Sequence, residues 1–392
     1  MRILHTIEGF GAKFGGIATC TRDLLAAMQN GKDVVELLTP GLRDHSDRFL
    51  GDGTAWTRKC VNDGIGPFNY SRTVIRELDA ADYDIYHVNG LWQHIDHATC
   101  SYARKHSKPY VITPHGMLYP ETLKRSFWKK WLMLRIWFNN DINRASCIHA
   151  TCETEMEHLR HFGYKGPIAL IGNPVNHSSE VSQICDVRIE NANALYGTKS
   201  NIVNIGFLGR LHPRKNVEAI IQGMAEARHR ADVRLVVMGS GDKAYEEFLH
   251  REVKRLGLEK QVEFAGFVNG EEKFRKLSQL SALFVTSDME NFGMIVPEAL
   301  LVGTPVMASL GTPWKELEDH DCGWWRDNSP ESVARVIDEI VEKSPSELLA
   351  MGMRGRELVL EKYEASKVAD KMLRLYAWLL GKGDKPDFVH LS

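Results

Sequence analysis

Short apolar runs recur along this chain, and most end in a polar or glycine-rich turn. Met1-Arg2-Ile3-Leu4-His5-Thr6-Ile7, Ile85-Tyr86-His87-Val88 and Tyr110-Val111-Ile112-Thr113 read as buried strands in the first half. Asn204-Ile205-Gly206-Phe207-Leu208, Leu235-Val236-Val237-Met238, Val262-Glu263-Phe264 and Leu283-Phe284-Val285-Thr286 read likewise in the second. Apolar residues at helical spacing follow some of them: Leu24, Leu25 and Met28 behind Gly15-Gly16, and Val217, Ile220, Ile221 and Met224 behind Asn216. Pro297 to Gly303 reads as a short helix, with Pro at its first position and Gly past its last. The region from Ala365 to about Leu380 reads as a terminal helix carrying Tyr376, Trp378 and Leu379. Strand, turn and helix in alternation predict an α/β protein of doubly wound parallel sheets. In such sheets ligands bind at the carboxyl ends of the strands.

Chemistry gathers at those ends. In Ser287–Pro305, SDMENFGMIVPEALLVGTP, two carboxylates flank a glycine loop and an apolar step. Glu290 falls in the loop Asn291-Phe292-Gly293, where a carboxylate can accept hydrogen bonds from hydroxyls. Glu298 falls at the start of the helix, where free N–H groups suit an anion. Upstream, Gly209-Arg210-Leu211-His212-Pro213-Arg214-Lys215-Asn216 places three cations at a strand-to-helix turn. Cations beside the positive end of a helix dipole are unfavourable alone, so an anion is expected nearby. A diphosphate suits them, with Arg as a fork and Lys as a point charge.

These two segments together resemble the Glu-x7-Glu motif and the Gly-Arg-x4-Lys loop of retaining nucleotide-sugar glycosyltransferases with the GT-B fold, glycosyltransferase family four in particular. The resemblance implies two Rossmann-like doubly wound domains facing a cleft. It implies that Arg210 and Lys215 bind the donor diphosphate, that Glu290 contacts the donor sugar and that Glu298 contacts the nucleotide ribose. Arg214 is expected to face solvent. The turns at Gly239-Ser240-Gly241 and Ala265-Gly266-Phe267-Val268 then flank the nucleotide base, with Gly239 close to the ligand and Phe267 and Val268 as base contacts. Gly15-Gly16 resembles the family's first loop, whose backbone faces the donor phosphate. Its glycine spacing is wrong for the Gly-x-Gly-x-x-Gly of a dinucleotide-binding dehydrogenase. His115-Gly116 resembles the loop that borders donor sugar and acceptor, so His115 joins Glu290, Arg210 and Lys215 as the expected catalytic set. His87, Asn89, Trp92, His94 and His97 are candidates to line the acceptor site.

The resemblance further implies a metal-independent, retaining hexosyltransferase with no cofactor beyond its nucleotide-diphosphate sugar donor. Asp82-Tyr83-Asp84 and Asp319-His320-Asp321 each precede a strand, at the edge away from ligands, and are not read as metal ligands. The expected acceptor is a glycan or lipid-linked glycan, as in cell-surface polysaccharide or lipopolysaccharide synthesis. A GT-B epimerase and a non-catalytic glycan-binding protein remain the alternatives.

Composition adds bounds. A length of 392 residues with 43% hydrophobic content supports two domains. The expected boundary is near Asn173-Pro174-Val175-Asn176, where the family usually has Pro-Asn-Gly. This gives an acceptor-side domain over 1–175 and a nucleotide-sugar domain over 176–364. The end, about 365–392, is expected to pack back on the first domain. His177 to Ser200 reads as a polar linker. A formal net charge of −2 does not suggest nucleic acid. Seven scattered cysteines and no recognisable signal peptide point to a reducing cytoplasm. Residues 121–140, ETLKRSFWKKWLMLRIWFNN, interleave cations with large aromatics. The segment reads equally as a helix at an anionic membrane interface and as a core helix with a basic outer face; it is too short and charged to span a bilayer.

Overall fold

The apolar runs become the strands of two sheets in a computed structural model, which describes residues 1–11, 14–29, 31–42, 48–194 and 202–391. The first sheet takes β1 (Arg2–Ile7), β2 (Val34–Pro40), β3 (Thr57–Cys60), β4 (Ile85–Asn89), β5 (Tyr110–Thr113), β6 (Cys147–Ala150) and β7 (Ile168–Leu170). The second takes β8 (Val203–Leu208), β9 (Val233–Met238), β10 (Val262–Gly266), β11 (Ala282–Val285), β12 (Val306–Ser309) and β13 (Gly323–Arg326). A last short strand, β14 (Val389–His390), pairs antiparallel with β7. Two compact units result: Met1–Pro174 with Ala365–Ser392, and Val175–Glu364.

Both sheets carry the doubly wound order. The second runs β10-β9-β8-β11-β12-β13 and is parallel throughout. The first runs β14-β7-β6-β5-β4-β1-β2-β3. The strand order reverses between β8 and β11 in one and between β1 and β4 in the other. Those are the switch points where crevices open at the carboxyl ends of strands.

Alternation along each strand explains the layers. Ile205, Phe207, Leu235, Val237 and Phe284 point to one face of the second sheet and join Ile220, Ile221 and Met224. Leu283, Val285 and Val306 point to the other and join Leu300 and Leu301. On the first sheet, Ile3, Leu37 and Val111 meet Leu24, Leu25 and Met28 of the helix Gly16–Met28. The helix Ala365–Leu379 covers the same face with Val368, Met372, Leu375 and Tyr376. Each such side chain contributes about 1.5–3 kcal/mol by leaving water.

Three expectations change. The polar linker is a helix over Ser179–Ala194, which buries Val181, Ile184 and Cys185; residues 195–200 lie outside the described ones. The helix bearing Glu298 begins at Ile295, two residues before Pro297. The segment 121–140 is Pro120–Lys124, Phe127–Met133, a π-turn over Leu134–Phe138 and the start of Asn139–Asn143. Phe138 is buried and Trp137 stacks on Phe68 at 4.7 Å, whereas Phe127, Trp128, Trp131, Leu132 and Ile136 are exposed. The segment therefore has both a core side and an apolar outer side.

Among the described residues no helix is long and apolar enough to cross a membrane.

Candidate active site

In the second unit, β8 and β11 lie side by side, with Ala282 opposite Ile205 and Leu283 opposite Gly206. Their carboxyl ends release the two loops that carry Arg210–Lys215 and Glu290. The first loop makes a 3₁₀ turn over Pro213–Lys215, capped by the His212 ring, which accepts from the Arg214 N–H at 3.1 Å. Asn216 then takes a left-handed conformation, φ 49°, before the helix Val217–Glu226. The second loop holds the first. The Thr286 hydroxyl lies 3.0 Å from the Lys215 carbonyl and 2.9 Å from that of Asn216. The Asp288 N–H donates to the Arg214 carbonyl at 2.9 Å.

This fastening brings Lys215 and Glu290 together as an ion pair, with the Ser287 hydroxyl donating to the same carboxylate oxygen at 2.8 Å. Arg210 is exposed on the same loop. Arg214 is half-buried beside the Met289 sulfur, 3.8 Å away, and not simply solvated.

Glu290 sits in a braced loop. Its N–H donates to the Gly311 carbonyl at 2.9 Å. The Trp314 indole N–H donates to the Phe292 carbonyl at 2.5 Å, and Phe292, Trp314 and Tyr363 form one aromatic cluster. Gly293 turns at φ 76°, which favours glycine. Asn291 and Gly293 remain half-exposed, whereas Phe292 is buried. Glu298 lies in the first turn of the helix Ile295–Leu301, 9% exposed, and pairs with Lys273 at 2.7 Å. Nothing in the sequence singles out Lys273; it arrives from the helix Gly270–Ser278.

The two glycine turns stack by backbone. Gly239 N–H donates to the Gly266 carbonyl at 2.7 Å, and Gly209 N–H to the Met238 carbonyl at 3.0 Å. A Cβ on Gly239 would stand 1.9 Å from the Gly209 carbonyl oxygen, so no other residue fits. Phe267 is 70% exposed and available to a base. Val268 is not: it is buried in the apolar cluster with Leu277 and Leu280, because the chain turns inward there to start the next helix.

In the first unit, Gly15 caps the helix Gly16–Met28 at φ 68°, with its outer side open, and both glycines are exposed. Ala12 and Lys13 of that loop lie outside the described residues. After β5, His115 and Gly116 turn at φ 50° and φ 74°. Glu155, buried on the helix Glu153–Phe162, holds that turn by accepting from Gly116 N–H at 2.5 Å and Thr151 N–H at 2.8 Å. His115 Nε2 is buried with no hydrogen-bond partner among the described residues. Burial, aided by His149, lowers the His115 pKa to about 3, so the ring is neutral.

The proposed acceptor cluster is corrected in part: three of its members are buried, whereas Trp92 and His97 stay half-exposed. His87 and Asn89 are buried within the sheet. His94 is buried and accepts from Ser71 N–H at 3.2 Å, and His97 bonds the buried Asp141 at 2.8 Å. Their polar partners are internal, so these side chains serve the fold. Trp92, at φ 85°, packs on Phe138. Among the described residues no group of three His, Cys, Asp or Glu side chains could hold a metal ion.

A doubly wound sheet with Arg210, Lys215 and Glu290 on the loops at its switch point is the pattern of an α/β unit whose ligand site lies at the strand ends. Comparison with known proteins then identifies it. The family described as "Glycosyl transferases group 1" matches residues 192–357, and "Glycosyltransferase Family 4" matches residues 14–179. An uncharacterized glycosyltransferase of Methanocaldococcus jannaschii is 28% identical over 46% of this chain and 46% of its own. The lipopolysaccharide core biosynthesis glycosyltransferase LpsE of Rhizobium meliloti is 25% identical over 59% of this chain and 64% of its own. The matches thus span about half to two thirds of those relatives. The Anabaena protein HepE, solved with UDP and glucose, superposes with a TM-score of 0.73 at 19% identity, covering 96% of this chain and 100% of its own. The chain belongs to the group 1 glycosyltransferases and has the GT-B fold.

Proposed function

We propose that the protein transfers a hexose from a nucleotide-diphosphate sugar, a UDP-sugar foremost, to a glycan or lipid-linked glycan, with retention and without a bound metal. The observation that carries this reading is the Lys215–Glu290 ion pair at the switch point of the second sheet, with Arg210 exposed on the same loop. The pair stores a cation for the donor diphosphate and a carboxylate for the sugar hydroxyls. On donor binding, Lys215 turns its charge to the phosphates, Arg210 adds its fork, and Glu290 is released to the sugar. Charge developing on the leaving diphosphate is met by those two cations. Glu298, already oriented by Lys273, accepts from the ribose. His115, neutral and half-buried, offers a ring nitrogen to the sugar or acceptor. The family's front-side reaction, with the leaving diphosphate taking the acceptor proton, needs no enzymic nucleophile.

HepE, whose complexes contain UDP and UDP-glucose, supports a uridine donor. LpsE supports an acceptor in cell-envelope lipopolysaccharide. The exposed outer side of 121–140 supports work at an anionic membrane face, as a peripheral enzyme of the cytoplasm.

A thermal-shift screen with UDP-, GDP- and ADP-sugars tests the donor. At 100 times its dissociation constant the right one adds about 2.7 kcal/mol. Anomeric analysis of the product by NMR then tests retention. No shift with any nucleotide sugar would overturn the reading.

A further inference from the structure

The first unit buries three histidines side by side, and the proposed chemistry uses none of them. His5 on β1 stacks on His87 of β4 at 4.5 Å, and His149 lies on β6. Their hydrogen bonds can be followed atom by atom. His149 Nε2 is 2.7 Å from the Ile171 carbonyl, which can only accept. That nitrogen therefore carries the proton, and in a neutral ring Nδ1 is bare. The Thr113 hydroxyl, 2.8 Å from His149 Nδ1, must donate to it. Its oxygen is then free to accept from His87 Nε2, 2.6 Å away. His87 Nδ1 is thus bare and accepts from the Tyr376 hydroxyl at 2.5 Å. The Tyr376 oxygen accepts in turn from His5 Nε2 at 3.0 Å. That leaves His5 Nδ1 bare, facing the Asn89 amide nitrogen at 3.3 Å. The same nitrogen donates to the Thr6 carbonyl at 3.1 Å, which fixes it as the NH₂ end.

A carbonyl at one end and an amide donor at the other set the same direction independently. Every ring has one donor and one acceptor, and every partner matches. We propose that Tyr376, arriving from the C-terminal helix, is a positioning residue that closes this one-way chain. It thereby joins the two halves of a chain in which His5, His87 and His149 are neutral Nε2–H tautomers, and holds the carboxyl ends of β1, β4, β5 and β6. Those ends carry Asn89 and, two residues beyond Thr113, the His115 turn. The claim about tautomers stands on geometry alone, and the relevance of that sheet edge to transfer rests on the proposed function.

The groups acting on the rings agree with this. Among the described residues, the titratable neighbours of the rings are one another, His115 and the Tyr376 hydroxyl, with no carboxylate to favour an imidazolium. A second proton on any ring would set donor against donor.

The full chain, labelled with ¹⁵N-histidine, tests the proposal by long-range ¹H–¹⁵N correlation. Three imidazoles are expected to show a bare Nδ1 and a protonated Nε2, unchanged from about pH 8 to about pH 5.5, while exposed histidines titrate. In Tyr376→Phe, the His87 Nδ1 and His5 Nε2 resonances should shift as both atoms lose their hydrogen-bond partner, while His149, held by the Ile171 carbonyl, keeps its own. Transfer should fall about tenfold with donor affinity unchanged. A buried ring with Nδ1–H, titration near the ordinary histidine value, or an unaltered spectrum in Tyr376→Phe would overturn the proposal. Should that variant not fold, the wild-type tautomers still decide. A protein with the expected tautomers that binds no nucleotide sugar would instead sink the proposed function.

Discussion

At the scale of the residue, the chain announces charge better than it announces what holds charge in place. Arg210, Lys215, Glu290 and Glu298 stand out in the sequence because charges placed after apolar strands are conspicuous there. Thr286, Trp314, Glu155 and Lys273 do not, since a threonine, a buried tryptophan or a helical lysine has many structural uses. Yet they set the geometry: Thr286 ties the two loops, and Lys273 neutralises Glu298. Val268 and His94 show the opposite error, where a residue type suited to ligands serves the core. Arg210→Ala and Lys215→Ala should each lower kcat/KM at least about tenfold, a loss of about 1.4 kcal/mol or more in transition-state binding, with the circular dichroism spectrum unchanged. Near-normal turnover in both would remove them from the phosphate site. Lys273→Ala takes its cation from the Glu298 carboxylate, a residue 9% exposed in the native protein. Stability should fall by about 1–3 kcal/mol and return in large part in Lys273→Met with Glu298→Gln. Urea denaturation of the wild type and the two variants reads the difference, and a double variant no more stable than Lys273→Ala would contradict the pairing.

At the scale of the element, strands with a clear apolar run were readable and edge strands were not. Thr57-Arg58-Lys59-Cys60 is polar because β3 lies at the sheet edge with one face toward solvent. Val389–His390 is too short to give any periodicity. The helix Ser179–Ala194 hides behind its polar composition, and only Val181, Ile184 and Cys185 mark its buried stripe. The segment 121–140 was ambiguous for a physical reason: it has two sides. Trp137 and Phe138 face the core, and Trp128 is 76% exposed. Lys124, Arg125, Lys129 and Arg135 are exposed with it, whereas Lys130 donates to the Thr122 carbonyl at 2.5 Å and lies over the Trp92 ring. Each exposed cation near an anionic surface contributes about 1 kcal/mol. The protein should therefore co-sediment with vesicles containing phosphatidylglycerol and be released by salt. Changing Lys124, Arg125 and Lys129 to Gln should abolish this, while Lys130→Gln should mainly cost stability. If the wild type ignores such vesicles at low salt, the aromatic side has another use.

At the scale of the whole molecule, doubly wound order was readable from strand–turn–helix alternation, whereas the burial of histidines was not. Nothing in Ile3-Leu4-His5-Thr6-Ile7 tells whether His5 meets solvent or Tyr376, because that partner lies 371 residues away. The consequence is a pH dependence of the fold. Burial lowers His5 to about 3 and His149 to about 4, holds His115 at about 3 and pushes His87 well below its ordinary value. In the unfolded chain each titrates near 6.5. Between those limits the unfolded state binds more protons, so stability is complete above about pH 6.5 and is lost as pH falls toward 4 and then 3. At pH 5 each ring costs about 2 kcal/mol. Asp96 and Glu8 act the other way: burial raises both, and their contribution weakens as pH rises. Four rings outweigh two acids, so the denaturation midpoint should drop between pH 7 and pH 5. His149→Gln should reduce that slope by about one proton, whatever its effect on stability at pH 7. A midpoint that is flat or rises toward pH 5 would mean that these rings exchange protons with solvent in the folded protein, and would place them at the surface of a cavity and not in the core.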